Sequence, residues 1–259
     1  MTNLQEFPIF PGDVVLINNH GAKANLNKLG QLALTGQYPH FTHVMLSMNH
    51  SGILLDSQPM EGVKLRSIYD EISSGTLSSD RFKNNDVLVI RNEAIATWDM
   101  EVSENIFKSY CLNYKKKYNF YIGMPNISDQ DSNATAKRVF CSELCFLMLE
   151  QLNVLPTDKN NNFPRRASGA LPVHFERLVT EGWGDVTQKW LENISSIERS
   201  RSVGLELACI NEGILANLIQ ITELQVEAAE EEEELIKIRN CCSQIDALAK
   251  KYGLPPYKK

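Results

Sequence analysis

Three side chains in this sequence carry the groups needed for acyl transfer: a thiol, an imidazole and a carboxylate. The thiol is Cys141, in Arg138-Val139-Phe140-Cys141-Ser142-Glu143-Leu144-Cys145. An extended Val-Phe pair gives way there to an apolar pattern of helical period, so Cys141 falls at a helix N-terminus. The positive end of a helix dipole favours thiolate over thiol, and Arg138 nearby adds to that. Cys145, one turn on, is expected to point into the core. Taken alone, both cysteines read more simply as small buried apolar residues.

The imidazole is His43, in Phe41-Thr42-His43-Val44-Met45-Leu46, at the start of an expected strand. The carboxylate is Asp56, in Leu54-Leu55-Asp56-Ser57 on the returning strand. A turn centred near 49–50 sets His43 directly opposite Asp56, with Cβ atoms ~4.5–5.5 Å apart. A carboxylate so placed fixes the histidine tautomer and supports its charged form. A purely structural Asp–His pair is the competing reading. His40, three residues from His43, points to the other strand face, and His50 falls in the turn; both are expected at the surface. His174, in Pro172-Val173-His174, reads as structural.

The elements that must position these groups are legible as periodicities. Pro11-Gly12-Asp13 is a turn feeding the apolar strand Val14 to Ile17. A short helix is expected around Leu26 to Leu34. Strands follow over 41–48, with Val44, Leu46 and Met48 on one face, then 53–57, 62–65 and 86–90, with a short helix near 68–72. Val102, Ile106, Tyr110 and Tyr114 recur every four residues and mark a helix over about 99–118. A second helix spans about 141–152, with Leu144, Leu147, Met148 and Leu152 inward. Residues 123–135 and 156–172 read as loops, and Leu171 to Leu178 as a docking turn or short helix. From about 196, Leu207, Ile210, Ile214, Ile221, Leu224 and later apolar residues fit one imperfect heptad register, with Asn217 and Glu231 on the seam. The expected division is 1–195 as the domain that holds the three groups and 196–259 as a helical, coiled-coil-like C-terminal region. The fold class is α+β, a small antiparallel sheet with helices on one side.

Composition narrows the function classes. The 259 residues carry 26 Lys+Arg against 32 Asp+Glu, a net charge of −6. An acidic chain does not favour nucleic acid, because phosphate binding needs clustered cations, and Lys115-Lys116-Lys117 is too short to reverse that. The six cysteines form no CxxC pair, and no histidine cluster has ligand spacing, so no structural zinc site or disulfide scaffold is expected. No cofactor motif is visible. No apolar run reaches the ~18–20 residues of a transmembrane helix. Met1 to Phe10 has neither a basic n-region nor a long apolar h-region. The expectation is cytoplasmic synthesis without a signal peptide, followed by specialised secretion where the target lies outside.

The Pro11-Gly12-Asp13 opening, Thr42-His43 at a strand start, an acid on the next strand and Phe140-Cys141-Ser142-Glu143-Leu144 entering a helix resemble a known family. It is the circularly permuted NlpC-type papain-like cysteine hydrolases, in which the histidine precedes the cysteine. They include the YiiX-like proteins and, more distantly, the lecithin:retinol acyltransferase-like group. Leu171-Pro172 and Trp183-Gly184-Asp185-Val186-Thr187 are similar to the end of such domains. The resemblance covers about residues 8–190 and none of 196–259. It implies a permuted papain-like fold and a Cys141–His43–Asp56 triad. Many members have Glu where Asp56 stands, so the third role rests on a shorter side chain. It further implies a cysteine peptidase or amidase acting on peptidoglycan peptides. Without a leader, such an enzyme is expected to be an antibacterial effector toxin with an immunity protein or secretion partner. A lipid or thioester acyl hydrolase or acyltransferase is the alternative. A non-catalytic protein that self-associates through its C-terminal helices is the third reading.

Overall fold

Val14-Val15-Leu16-Ile17 is apolar at every position, and all four residues are fully buried. A strand without a polar face has to be covered on both sides. In the computed structural model, which describes residues 9–59, 61–95, 99–113, 139–156, 163–203, 217 and 219–221, this strand lies inside a six-stranded sheet. The strands are β1 (Val14–Ile17), β2 (His43–Ser47), β3 (Ile53–Gln58), β4 (Gly62–Ser67), β5 (Val87–Arg91) and β6 (Gly184–Asp185). Their order is β4-β3-β2-β1-β5-β6, and every neighbouring pair is antiparallel. The protein is an α+β structure.

Strand alternation sorts the core into two layers. Val14, Leu16, Val44, Leu46, Leu55 and Ile90 pack with α4 (Asp99–Asn113) and α5 (Cys141–Gln151). Val15, Ile17, Met45, Leu54, Val87 and Val89 form a second cluster with Ile68 and Ile72 of α2 (Ile68–Ser73), Phe82 of α3 (Ser79–Lys83) and Trp190 and Ile194 of α7 (Thr187–Val203). The expectation of helices on one side is therefore corrected: both faces are covered. The apolar runs in β1, β2 and β5 are the physical reason, since both sets of alternate residues need cover. The remaining helices are α1 (Ala22–Thr35) and α6 (Pro172–Glu176).

The expected α4 stripe is present: Val102, Ile106 and Tyr110 are fully buried, while Tyr114 lies outside the described residues. In α5, Leu144, Met148 and Leu152 face inward as expected, whereas Leu147 is half-buried and Leu149 is fully buried. The helix α3 and the strand β6 had no expectation behind them. The 195/196 division falls inside α7, which runs unbroken to Val203. Of the heptad seam only Asn217 and Ile221 are described, and Ile221 is buried. The 123–135 loop, Lys115 to Lys117 and Arg138 lie outside the described residues.

The Pro11-Gly12-Asp13 turn proves to be a structural anchor. Asp13 is fully buried and accepts from Arg91 Nε at 2.6 Å and Arg91 Nη2 at 2.7 Å. It also accepts from Trp190 Nε1 at 2.9 Å and the Phe10 N–H at 3.0 Å. The guanidinium in turn lies 4.1 Å over the Phe10 ring. One carboxylate thus ties β1 to β5 and to α7. Removing one partner of such a pair costs about 3–5 kcal/mol, because the other charge stays buried and uncompensated.

Candidate active site

The turn between β2 and β3 is built by its own residues. Asn49 Oδ1 accepts from the N–H groups of Ser51 (3.0 Å) and Ile53 (3.2 Å), closing the loop locally. Gly52 has φ +83°, and a Cβ there would stand 2.4 Å from Ile68 Cγ2, so both conformation and space require glycine. The resulting ladder pairs Leu46 with Leu55 and Ser47 with Leu54. This register is two residues on from the expected one. Continued, it sets Met45 rather than His43 across from Asp56. An even shift keeps every side chain on its face, which is why the expected pair survives. His43 and Asp56 become diagonal neighbours, within reach of longer side chains.

The ladder stops short of both residues, and in the opening beyond its last rung the groups meet. His43 Nε2 lies 2.8 Å from Asp56 Oδ1. The contact is a close pairing of imidazole and carboxylate, each supporting the charge of the other. Cys141 lies within hydrogen-bonding reach of the imidazole. Asp56 is 1% exposed, Cys141 4%, and the His43 side chain 12%. The narrow exposure at His43 marks the solvent side of the cluster.

Cys141 is the first residue of α5, as expected. Phe140 caps the helix in an extended conformation and offers no side-chain acceptor. Phe140 therefore gives no side-chain cap to the first turn of the helix, the end at which backbone N–H groups meet negative charge. Two hydroxyls fix the segment. Ser57 Oγ donates to the Val139 carbonyl at 2.8 Å, tying the strand of Asp56 to the residues before the thiol. Ser142 Oγ donates to the Ala170 carbonyl at 2.8 Å on the other side. Leu144, Cys145 and Met148 bury the rest of α5 against the sheet.

Asp56 uses both oxygens. Oδ2 accepts from Arg66 Nε at 3.0 Å, and the same guanidinium reaches Glu61 Oε2 at 2.7 Å and Glu71 Oε1 at 3.4 Å. For Asp56, burial is the largest influence and pushes the carboxyl up, but His43 and Arg66 together hold it below the usual carboxylate range. For His43, burial again acts most strongly and pulls the pKa down. The charges of Asp56 and Cys141 outweigh it, and the imidazole is held well above its ordinary 6.5. Both shifts favour an imidazolium beside a carboxylate. Burial, with smaller contributions from the Cys141 and Asp56 charges, raises the neighbouring Cys145 thiol well above its usual range and leaves it inert.

The sequence brought Cys141, His43 and Asp56 into view, but not Arg66, Ser57 or Ser142. Arg66 lies just past the expected 62–65 strand, and only the observed register brings it against Asp56. For any turnover that runs through this cluster, Arg66→Met is expected to lower kcat/KM by about tenfold or more, with Arg66→Lys partly restoring it. That is the scale of one charge-assisted hydrogen bond felt in the transition state. Steady-state rates for both variants check this, and an unaltered rate in Arg66→Met would remove Arg66 from the site.

The other histidines are committed elsewhere. His40 Nε2 contacts the Asn85 carbonyl at 2.9 Å, His50 Nδ1 the Ile9 carbonyl at 2.6 Å, and His20 Nε2 Asp86 at 2.8 Å. His174 Nδ1 accepts the Leu171 N–H at 3.0 Å, and burial lowers its pKa to about 4, so it stays neutral as a helix-start acceptor. A surface cleft of about 480 Å³ lined by Phe41, Leu88, Thr187 and Leu191 includes none of the three site residues. Among the described residues no cluster of His, Cys, Asp and Glu could hold a metal ion, and no helix is long and apolar enough to cross a membrane. No protein-family model, curated protein or solved structure matches the chain.

Proposed function

We propose that the protein is a cysteine hydrolase on a permuted papain-like fold, working through an acyl-enzyme. One observation carries the reading: a thiol from a helix start, an imidazole from β2 and a carboxylate from β3 share one buried cluster. The Cys141 sulfur, as thiolate, attacks a carbonyl carbon and forms the C–S bond, while His43 carries the proton. The oxyanion is met by the backbone N–H of Cys141 at the start of α5. His43 then gives its proton to the departing amine or alcohol as the C–N or C–O bond breaks. Water enters, His43 takes its proton, and hydroxide attack breaks the thioester and releases the acid. Asp56 orients the ring and supports its charge, and Arg66 positions Asp56.

The resemblance supports an amide bond in peptidoglycan peptides as the target, with delivery by a secretion system and an immunity protein as partner. A lipid or thioester acyl group is the second reading, and the exposed apolar face of α1 favours it. Both use the same triad. Iodoacetamide at neutral pH tests the shared chemistry: Cys141 should be alkylated ahead of the other five cysteines, and His43→Ala should slow that reaction. Modification of Cys145 as fast as Cys141, read by peptide mass, would count against an activated thiol.

A further inference from the structure

The helix α1, Ala22–Thr35, is built inside out. Its two buried residues are Ala24 and Gln31. Gln31 holds it down by polar bonds: Nε2 donates to the Phe41 carbonyl at 3.1 Å and to Asn27 Oδ1 at 2.7 Å, and Oε1 accepts the Val173 N–H at 3.0 Å. The leucines lie on the other side. Leu26 is 72% exposed, Leu29 57%, Leu34 50%, and Tyr38 just past the helix 70%. At 100° per residue, Ala22, Leu26, Leu29 and Ala33 form one stripe opposite Gln31. These four and Leu34 are all exposed. Nothing in the described fold uses this stripe.

Charge says what fits it. The helix contains no Asp or Glu in a chain of net charge −6, and its only charged residues are Lys23 and Lys28. The helical angle places one lysine on each flank of the leucine stripe. An apolar stripe between two long cationic side chains suits an anionic lipid surface: leucines enter the acyl boundary while lysines reach up to the phosphates. We propose that α1 and Tyr38 form a docking face for an anionic phospholipid bilayer, lying in its surface plane. The helix leads by a short loop into His43, and Gln31 grips the Phe41 carbonyl two residues before it, so the docking face is tied to the strand that carries the imidazole. This places the acyl donor of the proposed hydrolase in a lipid. The role rests on that reading, but the binding does not.

Flotation of the full chain with vesicles tests it, using phosphatidylcholine alone and phosphatidylcholine with phosphatidylglycerol. We expect binding to the anionic vesicles, weaker binding to the neutral ones and loss on raising salt. Leu26→Glu/Leu29→Glu should lower partition by about tenfold or more, and Lys23→Gln or Lys28→Gln by about fivefold each. Both leucine sites are exposed, so the melting temperature should hold; Leu26→Ser/Leu29→Ser serves as a milder pair. Cys141→Ala should bind like the wild type, which separates docking from catalysis. Absence of binding to anionic vesicles overturns the proposal and leaves the hydrolase reading standing. So does a wild-type dimer in light scattering that the leucine variants dissolve, or a large melting loss in both leucine pairs, since another protein surface then covers the stripe. Binding without any turnover of lipid or peptide would instead remove the hydrolase reading alone.

Discussion

Cys141→Ala is expected to abolish release of product from peptidoglycan fragments or phospholipid, by about 10⁴-fold or more, because the proposed acyl-enzyme forms on its sulfur. The same variant should melt close to the wild type. Cys141 is 4% exposed and packs beside Val139 and Leu144, so the lost sulfur costs packing only, about 1 kcal/mol. Cys145→Ala is the internal control. It lies one turn along the same helix, is 1% exposed and loses the same atom. It should show a similar melting change and keep its activity. Comparable inactivity in both variants would mean that α5 needs its sulfurs for packing, and turnover in Cys141→Ala would end the mechanism outright.

The fold was legible where one kind of periodicity dominated. The apolar runs of β1, β2, β3 and β5 and the four-residue spacing of Val102, Ile106 and Tyr110 name their elements directly. The one-sided arrangement fails because Val15, Met45, Leu54 and Val89 are apolar on the second face of the sheet and need cover there too. Their cover comes from α2, α3 and α7, which supply Ile72, Phe82 and Trp190 singly from distant positions. No local pattern ties these to the sheet. Likewise β6 is two residues long, and only its pairing with Ile90 and Arg91 makes it a strand.

The site followed the same division. Residue chemistry and order pointed to Cys141, His43 and Asp56, and strand parity kept His43 and Asp56 on one face despite the two-residue error in register. The register moves by two because the turn occupies 49–52, closed by Asn49 with Gly52 in the left-handed region, and so centres one residue later than 49–50. What stayed hidden was long-range: Ser57 reaches 82 residues along the chain to Val139, and Ser142 reaches 28 to Ala170. Arg66 carries no signal of its own, because an arginine on an edge strand ordinarily faces water. The role of Asp13 was hidden for the reverse reason: Pro-Gly-Asp reads as a turn, and its buried partners Arg91 and Trp190 lie far off in sequence.

His43→Ala should cost activity on the scale of Cys141→Ala, and the pH profile should identify the reason. The working state pairs a thiolate with an imidazolium, so the alkaline limb of kcat/KM reports loss of the His43 proton. Burial alone would put that limb below 6.5, but Asp56 and Cys141 raise the imidazole well above it, and the limb should follow. Asp56→Asn removes one of the two supports and leaves burial in place. Its limb should move to lower pH, with a smaller fall in rate than His43→Ala produces. Stability carries the same signature. The raised His43 value means its contribution is complete below about 6.5 and fades as pH rises through the folded value. The lowered Asp56 value means its contribution is present above about 3.9 and fades as pH falls through the folded value. The melting difference between wild type and Asp56→Asn should therefore be widest between about pH 4 and 6.5 and narrow on either side. A difference that is flat across pH, together with an unmoved alkaline limb, would show that Asp56 only packs against His43 and that the imidazole owes its charge to the cysteine.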